Sequence, residues 1–69
     1  MNIRVLPSIR LLNKYVNRFK RVAISSILPE LYADEEGKAF PTLNIQVEGP
    51  ARHVRHFNRL LDEAKLKIS

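Results

Sequence analysis

The chain has 69 residues, a net charge of +5 at neutral pH and no cysteine. This length allows one domain with a small core, and the lack of cysteine excludes disulfides and thiolate metal sites. The hydrophobic fraction of 45% is typical of a folded domain. No apolar run reaches the roughly 18–20 residues of a membrane span. We therefore expect a single small basic domain over residues 1–69, located in the cytoplasm.

The first predicted elements are a short strand and an amphipathic helix. Ile3 and Val5 indicate a strand that stops before Pro7, and Ser8 is suited to cap a helix. Over about residues 8–20, apolar side chains recur at spacings of three and four, which is typical of a helix with one buried stripe. The predicted stripe consists of Ile9, Leu12, Val16 and Phe19, widened by Leu11 and Tyr15.

Residues 21–28 are open to two interpretations. Ala23 and Ile27 would extend the buried face of the preceding helix. The β-branched residues and the Ser25-Ser26 pair instead favour a strand, because serine competes for backbone hydrogen bonds in a helix. We favour the strand because the residues that follow can fold back on it as a hairpin.

A hairpin accounts for the residues between 22 and 48. The sequence Asp34-Glu35-Glu36-Gly37 is suited to a four-residue turn that ends in glycine. Folding about that turn pairs residues on one face as Leu28 with Leu43, Ser26 with Ile45, and Ile24 with Val47. Pro29 and Pro41 then fall nearly opposite each other, and we expect them to interrupt the ladder and bend the ribbon.

The last predicted elements are a half-buried strand and a second helix. Residues 42–48 alternate apolar and polar side chains, and Gly49-Pro50 ends the strand and opens a helix. The buried face of that helix is predicted to comprise Val54, Phe57, Leu61, Ala64 and Ile68, with Leu60 beside them. This order predicts an α+β fold, a two-layer β-α-β-β-α domain with two helices packed on one face of a small antiparallel sheet.

Charge is sorted by segment along the chain. Residues 1–28 carry six basic side chains and no acidic one, whereas residues 29–48 carry five acidic side chains and one basic one. Residues 49–69 are again basic, with five basic and two acidic side chains. Such segregation favours a polyanion or an acidic protein as the partner of the basic parts.

Both predicted helices carry a row of basic side chains. The row on the first helix has no acidic partner within the helix, so its like charges repel one another. The row on the second helix occupies the N-terminal half, where the helix dipole disfavours cations and the exposed amide groups attract anions. The predicted nucleic-acid or anion-binding residues are Arg52, Arg55, Arg59, Arg10, Lys14, Arg18 and Arg21.

The chain carries no pattern typical of an enzyme or a metal site. It has no cysteine nucleophile and no glycine-rich phosphate loop, and the acidic residues at 34–36 fall in a turn that would not desolvate them. His53 and His56 lie three apart, but no further ligand completes a metal site. Neighbouring arginines are expected to lower the pKa values of these histidines. We expect a binding protein that is not an enzyme and has no cofactor.

Two functions stay open at this point. The first is a small nucleic-acid-binding or nucleoprotein-associated protein. Its contacts with phosphate groups would discriminate little between base sequences. The second is a protein-interaction module or homodimeric regulatory protein that engages an acidic protein partner. For this second function the candidate interface is Leu31, Tyr32 and Phe40 at the far end of the hairpin, because an isolated two-stranded ribbon is marginally stable in water. No membrane partner is expected.

Overall fold

The computed structural model describes residues 1–68 and has the predicted order of elements. The elements are strand β1 (Asn2–Val5), helix α1 (Ile9–Phe19), strand β2 (Ala23–Ala33), strand β3 (Ala39–Glu48) and helix α2 (Ala51–Glu63). Strand β3 lies at the centre of a three-stranded antiparallel sheet, between β1 and β2. The α+β fold class and the strand that begins at Ala23 are therefore confirmed.

The core lies between one face of the sheet and the two helices. Ile3 of β1 pairs with Ile45 of β3, and alternation along each strand directs the buried side chains to the same face. Leu12 from α1 and both Phe57 and Leu61 from α2 are buried in that same cluster. Both helices thus pack on one face of the sheet, as the sequence predicts.

Two residues predicted for the buried stripe of α1 are exposed. Ile9 is 52% exposed and Leu11 is 41% exposed, whereas the neighbouring Leu12 is buried. Successive residues are rotated by about 100° around a helix, so Leu11 and Leu12 cannot both point at the sheet. The helix packs against the core through Leu12, Tyr15, Val16 and Phe19, as predicted. The prediction for Ile9 and Leu11 is therefore wrong.

The hairpin turn sets a register one residue away from the predicted one. Gly37 has a φ of 80° and its N–H donates to the Asp34 carbonyl at 3.0 Å, while the Asp34 N–H donates to the Lys38 carbonyl at 3.1 Å. The loop therefore contains three residues and closes on Asp34 and Lys38, a type I turn followed by a left-handed glycine. The resulting pairs are Pro29 with Leu43, Leu28 with Asn44, Ile27 with Ile45, and Ser26 with Gln46.

In this register two side chains lie on the face of the sheet opposite to the predicted one. Leu28 and Ser26 lie on the face away from the helices, contrary to the prediction, because a shift of one residue moves a side chain to the other face. An irregularity in the ladder between Ile24 and Ser26 then restores the predicted pairing of Ile24 with Val47.

Pro29 and Pro41 do not interrupt the ladder. Asp34 and Lys38 form a hydrogen-bonded pair, and such pairs alternate with non-hydrogen-bonded pairs along antiparallel strands. Pro29 opposite Leu43, and Pro41 opposite Leu31, therefore occupy the non-hydrogen-bonded positions. Neither proline needs an N–H for the pairing of β2 with β3, so the expected interruption is wrong.

The C-terminal residues cover one edge of the sheet. The Leu6 N–H donates to the Leu66 carbonyl, and the Ile68 N–H donates to the Arg4 carbonyl, both at 2.9 Å. Helix α2 ends at Glu63, before Lys65 takes a left-handed φ of 60°. Ile68 thus lies beside β1, and its predicted place on the buried face of α2 is wrong.

Gly49 joins β3 to α2 at a close approach of two backbone segments. Its φ is 148°, and an added Cβ would lie 3.1 Å from the Arg21 carbonyl oxygen. We expect Gly49→Ala to lower the free energy of unfolding by about 2–3 kcal/mol. Urea unfolding followed by circular dichroism measures this loss.

Gly37→Ala is the matched control for Gly49→Ala. Gly37 also has a positive φ, but an added Cβ would meet nothing within 4 Å. Its expected cost is about 1 kcal/mol, from the backbone conformation alone. Equal losses in the two variants would contradict a role for the contact with Arg21.

Candidate nucleic-acid interface

Three arginines lie on the outer surface of α2. Arg52, Arg55 and Arg59 are all exposed, whereas Val54 and Phe57 of the same helix are buried. With about 100° between successive residues, the three arginines share the side of the helix that faces away from the core. Their guanidinium groups therefore extend from the helix layer into solvent.

A second basic row lies on the outer surface of α1. Arg10, Lys14 and Arg18 are exposed and project from the side opposite the buried Leu12. No acidic residue occurs in this helix. Since both helices cover the same face of the sheet, the two basic rows belong to the same outer layer of the molecule.

Aromatic contacts join the end of α1 to the beginning of α2. The ring of Phe19 lies 5.1 Å from that of His56 and 6.3 Å from that of His53, centroid to centroid, and both contacts are edge-to-face. The Phe19 and Phe57 rings are 5.8 Å apart. These contacts fix the last turn of α1 beside the first two turns of α2.

The environment of this junction lowers the pKa of His53. Its imidazole is half-buried beside Phe19, and this desolvation lowers its pKa below the usual value of 6.5. The charges of Arg52, Arg21 and His56 lower the pKa further. The predicted lowering is thus confirmed for His53. Because Arg21 and Arg52 both act on this imidazole, the residue that continues the α1 row lies close to the beginning of the α2 row.

The first turn of α2 has no capping side chain. The Pro50 carbonyl accepts hydrogen bonds from the N–H groups of His53 and Val54, at 2.9 and 3.0 Å, but no side chain accepts from the first-turn amides. That turn also lacks an acidic residue. The partial positive charge of the helix N-terminus therefore adds to the charge of the neighbouring arginines.

None of the seven predicted anion-binding side chains is paired with a carboxylate in residues 1–68. They form no hydrogen bond or ion pair with the described part of the chain. Two of the acidic side chains have other partners: Glu48 accepts hydrogen bonds from Ser25 and Gln46, and Asp34 accepts from backbone amides of its own turn. The described part of the molecule therefore supplies no ion pair to these basic side chains.

The predicted interface residues of the hairpin do not form a single patch. Tyr32 pairs with Phe40, their ring centroids are 5.3 Å apart, and the guanidinium carbon of Arg4 lies 4.9 Å from the Tyr32 centroid. Leu31 is 77% exposed and lies on the opposite face of the ribbon. Sequence reasoning missed Arg4 because its contact with Tyr32 depends on the strand order, which side-chain periodicity does not specify.

Residues 1–68 contain no cavity and no group of three or more possible metal ligands. Neither described helix combines the length and the apolar character needed to cross a membrane. Comparison of the chain with protein-family models, curated proteins and solved structures gives no match in any of the three.

The pKa of His53 provides a direct test of the geometry at the junction. Arg52→Ala should raise this pKa toward 6.5, because it removes one of the charges that lower it. Since the folded-state pKa lies below the unfolded-state value, the stability contributed by neutral His53 is complete above about pH 6.5 and is lost as the pH falls through the folded pKa. An NMR titration of the imidazole protons measures the shift.

Arg59→Ala is the control for this titration. It removes the same charge from the same helix at a position that does not affect His53. The pKa of His53 should stay unchanged in this variant. A pKa that is insensitive to Arg52→Ala would contradict the described arrangement of the junction.

Proposed function

We propose that this chain is a non-enzymatic nucleic-acid-binding protein whose contact surface is the outer side of its helix layer. The observation that carries the proposal is the row of Arg52, Arg55 and Arg59 beside a helix N-terminus without a capping side chain. These guanidinium groups have no carboxylate partner in the described chain. Like charges crowded in this way repel one another until an anion neutralises them.

Phosphate is the anion that this chemistry favours. A guanidinium group presents paired N–H donors that match two oxygens of one phosphate, and the N-terminus of a helix adds backbone donors. Arg52 and Arg59 lie about 10 Å apart along the helix axis. Over that distance duplex DNA carries about six phosphate charges, so the row is long enough to contact several of them.

The composition of the surface favours contacts with phosphates over readout of bases. The aromatic residues near the basic rows pack against the core, so they do not offer free stacking platforms; these residues are Tyr15, Phe19 and Phe57. Arg10, Lys14 and Arg18 add charge on the neighbouring helix. Phosphate contacts give affinity without sequence information, so we expect binding with little sequence preference.

Fluorescence anisotropy with a labelled DNA duplex and a labelled single-stranded RNA tests the proposal. If about five phosphates are contacted, the affinity should fall roughly 10²–10³-fold between about 50 and 200 mM salt. Polyglutamate serves as a third ligand, because the same basic surface would also attract an acidic protein. Binding of polyglutamate without binding of either nucleic acid would assign the surface to an acidic protein partner. No binding to any of the three at low salt would contradict the proposal.

A further inference from the structure

Four side chains that are basic or can be protonated meet where α1 ends and α2 begins. They are Arg21, in the loop after α1, and Arg52, His53 and His56, in the first two turns of α2. The loop packs against the residue that precedes α2, since a Cβ added to Gly49 would lie 3.1 Å from the Arg21 carbonyl oxygen. The Phe19 ring contacts both imidazoles edge-to-face. Backbone packing and ring contacts thus bring the four side chains together.

The imidazole of His53 is half-buried, but its ring nitrogens are open to a ligand. Within residues 1–68 neither nitrogen has a hydrogen-bond partner, and neither is fully buried. The ring contacts Phe19, which belongs to the layer packed against the core, so its orientation is restricted. His53 therefore presents unpaired polar atoms at a fixed place on the basic surface.

Only positive charges act on this imidazole. Partial burial lowers the pKa of His53, and the charges of Arg52, Arg21 and His56 lower it further. Glu48, at the end of β3, is hydrogen bonded within the sheet and does not shift this pKa. Neither Lys20 nor any basic residue of α1 shifts it. The imidazole is thus kept neutral at neutral pH by charges that a bound anion would offset.

We propose that this junction is a proton-linked phosphate site, in which protonated His53 donates to a phosphate group that Arg21 and Arg52 also contact. The inference rests on the proposed function, because the phosphate belongs to the backbone of the bound nucleic acid. Its negative charge attracts the imidazolium and offsets the repulsion from the two guanidinium groups. The proton comes from the solvent. An imidazolium donates from both ring nitrogens, whereas a neutral imidazole donates from one.

This linkage makes the affinity for nucleic acid depend on pH. In the free chain His53 is protonated only below its lowered pKa, whereas in the complex it stays protonated to a higher pH. Between these two values the complex holds one proton more than the free chain, so the affinity rises as the pH falls. One linked proton changes the affinity by at most about tenfold for each pH unit, and we expect a gain of roughly tenfold between about pH 8 and about pH 5.5.

Fluorescence anisotropy with a labelled DNA duplex, at constant ionic strength and over this pH range, tests the proposal. His53→Gln should bind with little dependence on pH, because glutamine is polar but does not titrate. His56→Gln is the matched control, since it removes the other imidazole that contacts Phe19, and most of the pH dependence should remain. An NMR titration of the wild type should show a higher pKa for His53 when the duplex is bound, and this result depends on no variant.

The outcomes separate this inference from the proposed function. Binding of the duplex with an affinity that does not change with pH would overturn the inference and leave the proposed function standing. So would a pH dependence that His53→Gln and His56→Gln reduce equally, or a pKa of His53 that the duplex does not raise. No binding at any pH at low salt would contradict both.

Discussion

Changing Arg52, Arg55 and Arg59 together to alanine should lower the affinity for a short DNA duplex by roughly 10²–10³-fold at about 0.1 M salt. Each phosphate contact that is lost also lowers the slope of log affinity against log salt concentration by about 0.9. The three side chains are exposed and lie outside the core, so the variant should fold as the wild type does. Anisotropy titrations at several salt concentrations give both quantities.

The charge-matched control replaces the same three arginines by lysine. This variant keeps every positive charge and loses only the paired N–H geometry, so most of the affinity and of the salt slope should be retained. An alanine variant with the affinity and slope of the wild type would contradict the assignment of these residues. Far-UV circular dichroism on both variants shows that neither change unfolds the chain.

Phe57→Ala should remove a large part of the free energy of unfolding. The Phe57 side chain of α2 is fully buried in the core, and it also contacts Phe19 at the junction of the helices. Removing a buried phenylalanine costs about 3–5 kcal/mol, through lost burial and the cavity that is left. A domain of this size has a total stability of about 3–10 kcal/mol, so this one change consumes much of it.

Phe40→Ala is the comparison for this core substitution. Phe40 is half-buried and lies outside the core cluster, where its principal contact is the edge-to-face pair with Tyr32. Its removal should cost about 1 kcal/mol. Urea unfolding of the two variants measures the difference. A Phe57 variant as stable as the Phe40 variant would show that the core does not depend on the junction of the helices.

Local chemistry made most of the fold predictable from the sequence. The apolar spacing of α2 predicts its buried residues Val54, Phe57 and Leu61 because the helix has a fixed period. Ser8 caps α1 as expected, accepting a hydrogen bond from the Leu11 amide at 3.4 Å. The hairpin was also predictable, because a glycine-ended acidic turn separates two β-favouring segments.

The details that the sequence did not predict depend on one-residue differences and on tertiary contacts. A three-residue loop and a four-residue loop fit the same turn sequence, but they place Leu28 on opposite faces of the sheet. The exposure of Ile9 depends on how far the helix layer extends over the sheet. Periodicity along a single helix contains no information on either point.

The candidate site was likewise predictable only in part. The helical period places Arg52, Arg55 and Arg59 on one side of α2, so this row was predictable. The approach of Arg21 to His53 was not, because it depends on the packing of Phe19 against α2. Ion pairing of the arginines was not predictable either: Glu48 and Asp34 form hydrogen bonds elsewhere, and Asp62 and Glu63 of α2 form no ion pair with the arginines.

The separation of charge between the helix layer and the hairpin turn gives the molecule a permanent electric dipole. The acidic turn lies at the far end of the hairpin, and the molecule measures 36 Å along its longest axis. In the field of a polyanion such a body experiences a torque that rotates its basic side inward before contact. Most encounters then begin in a productive orientation, which raises the association rate constant at low ionic strength.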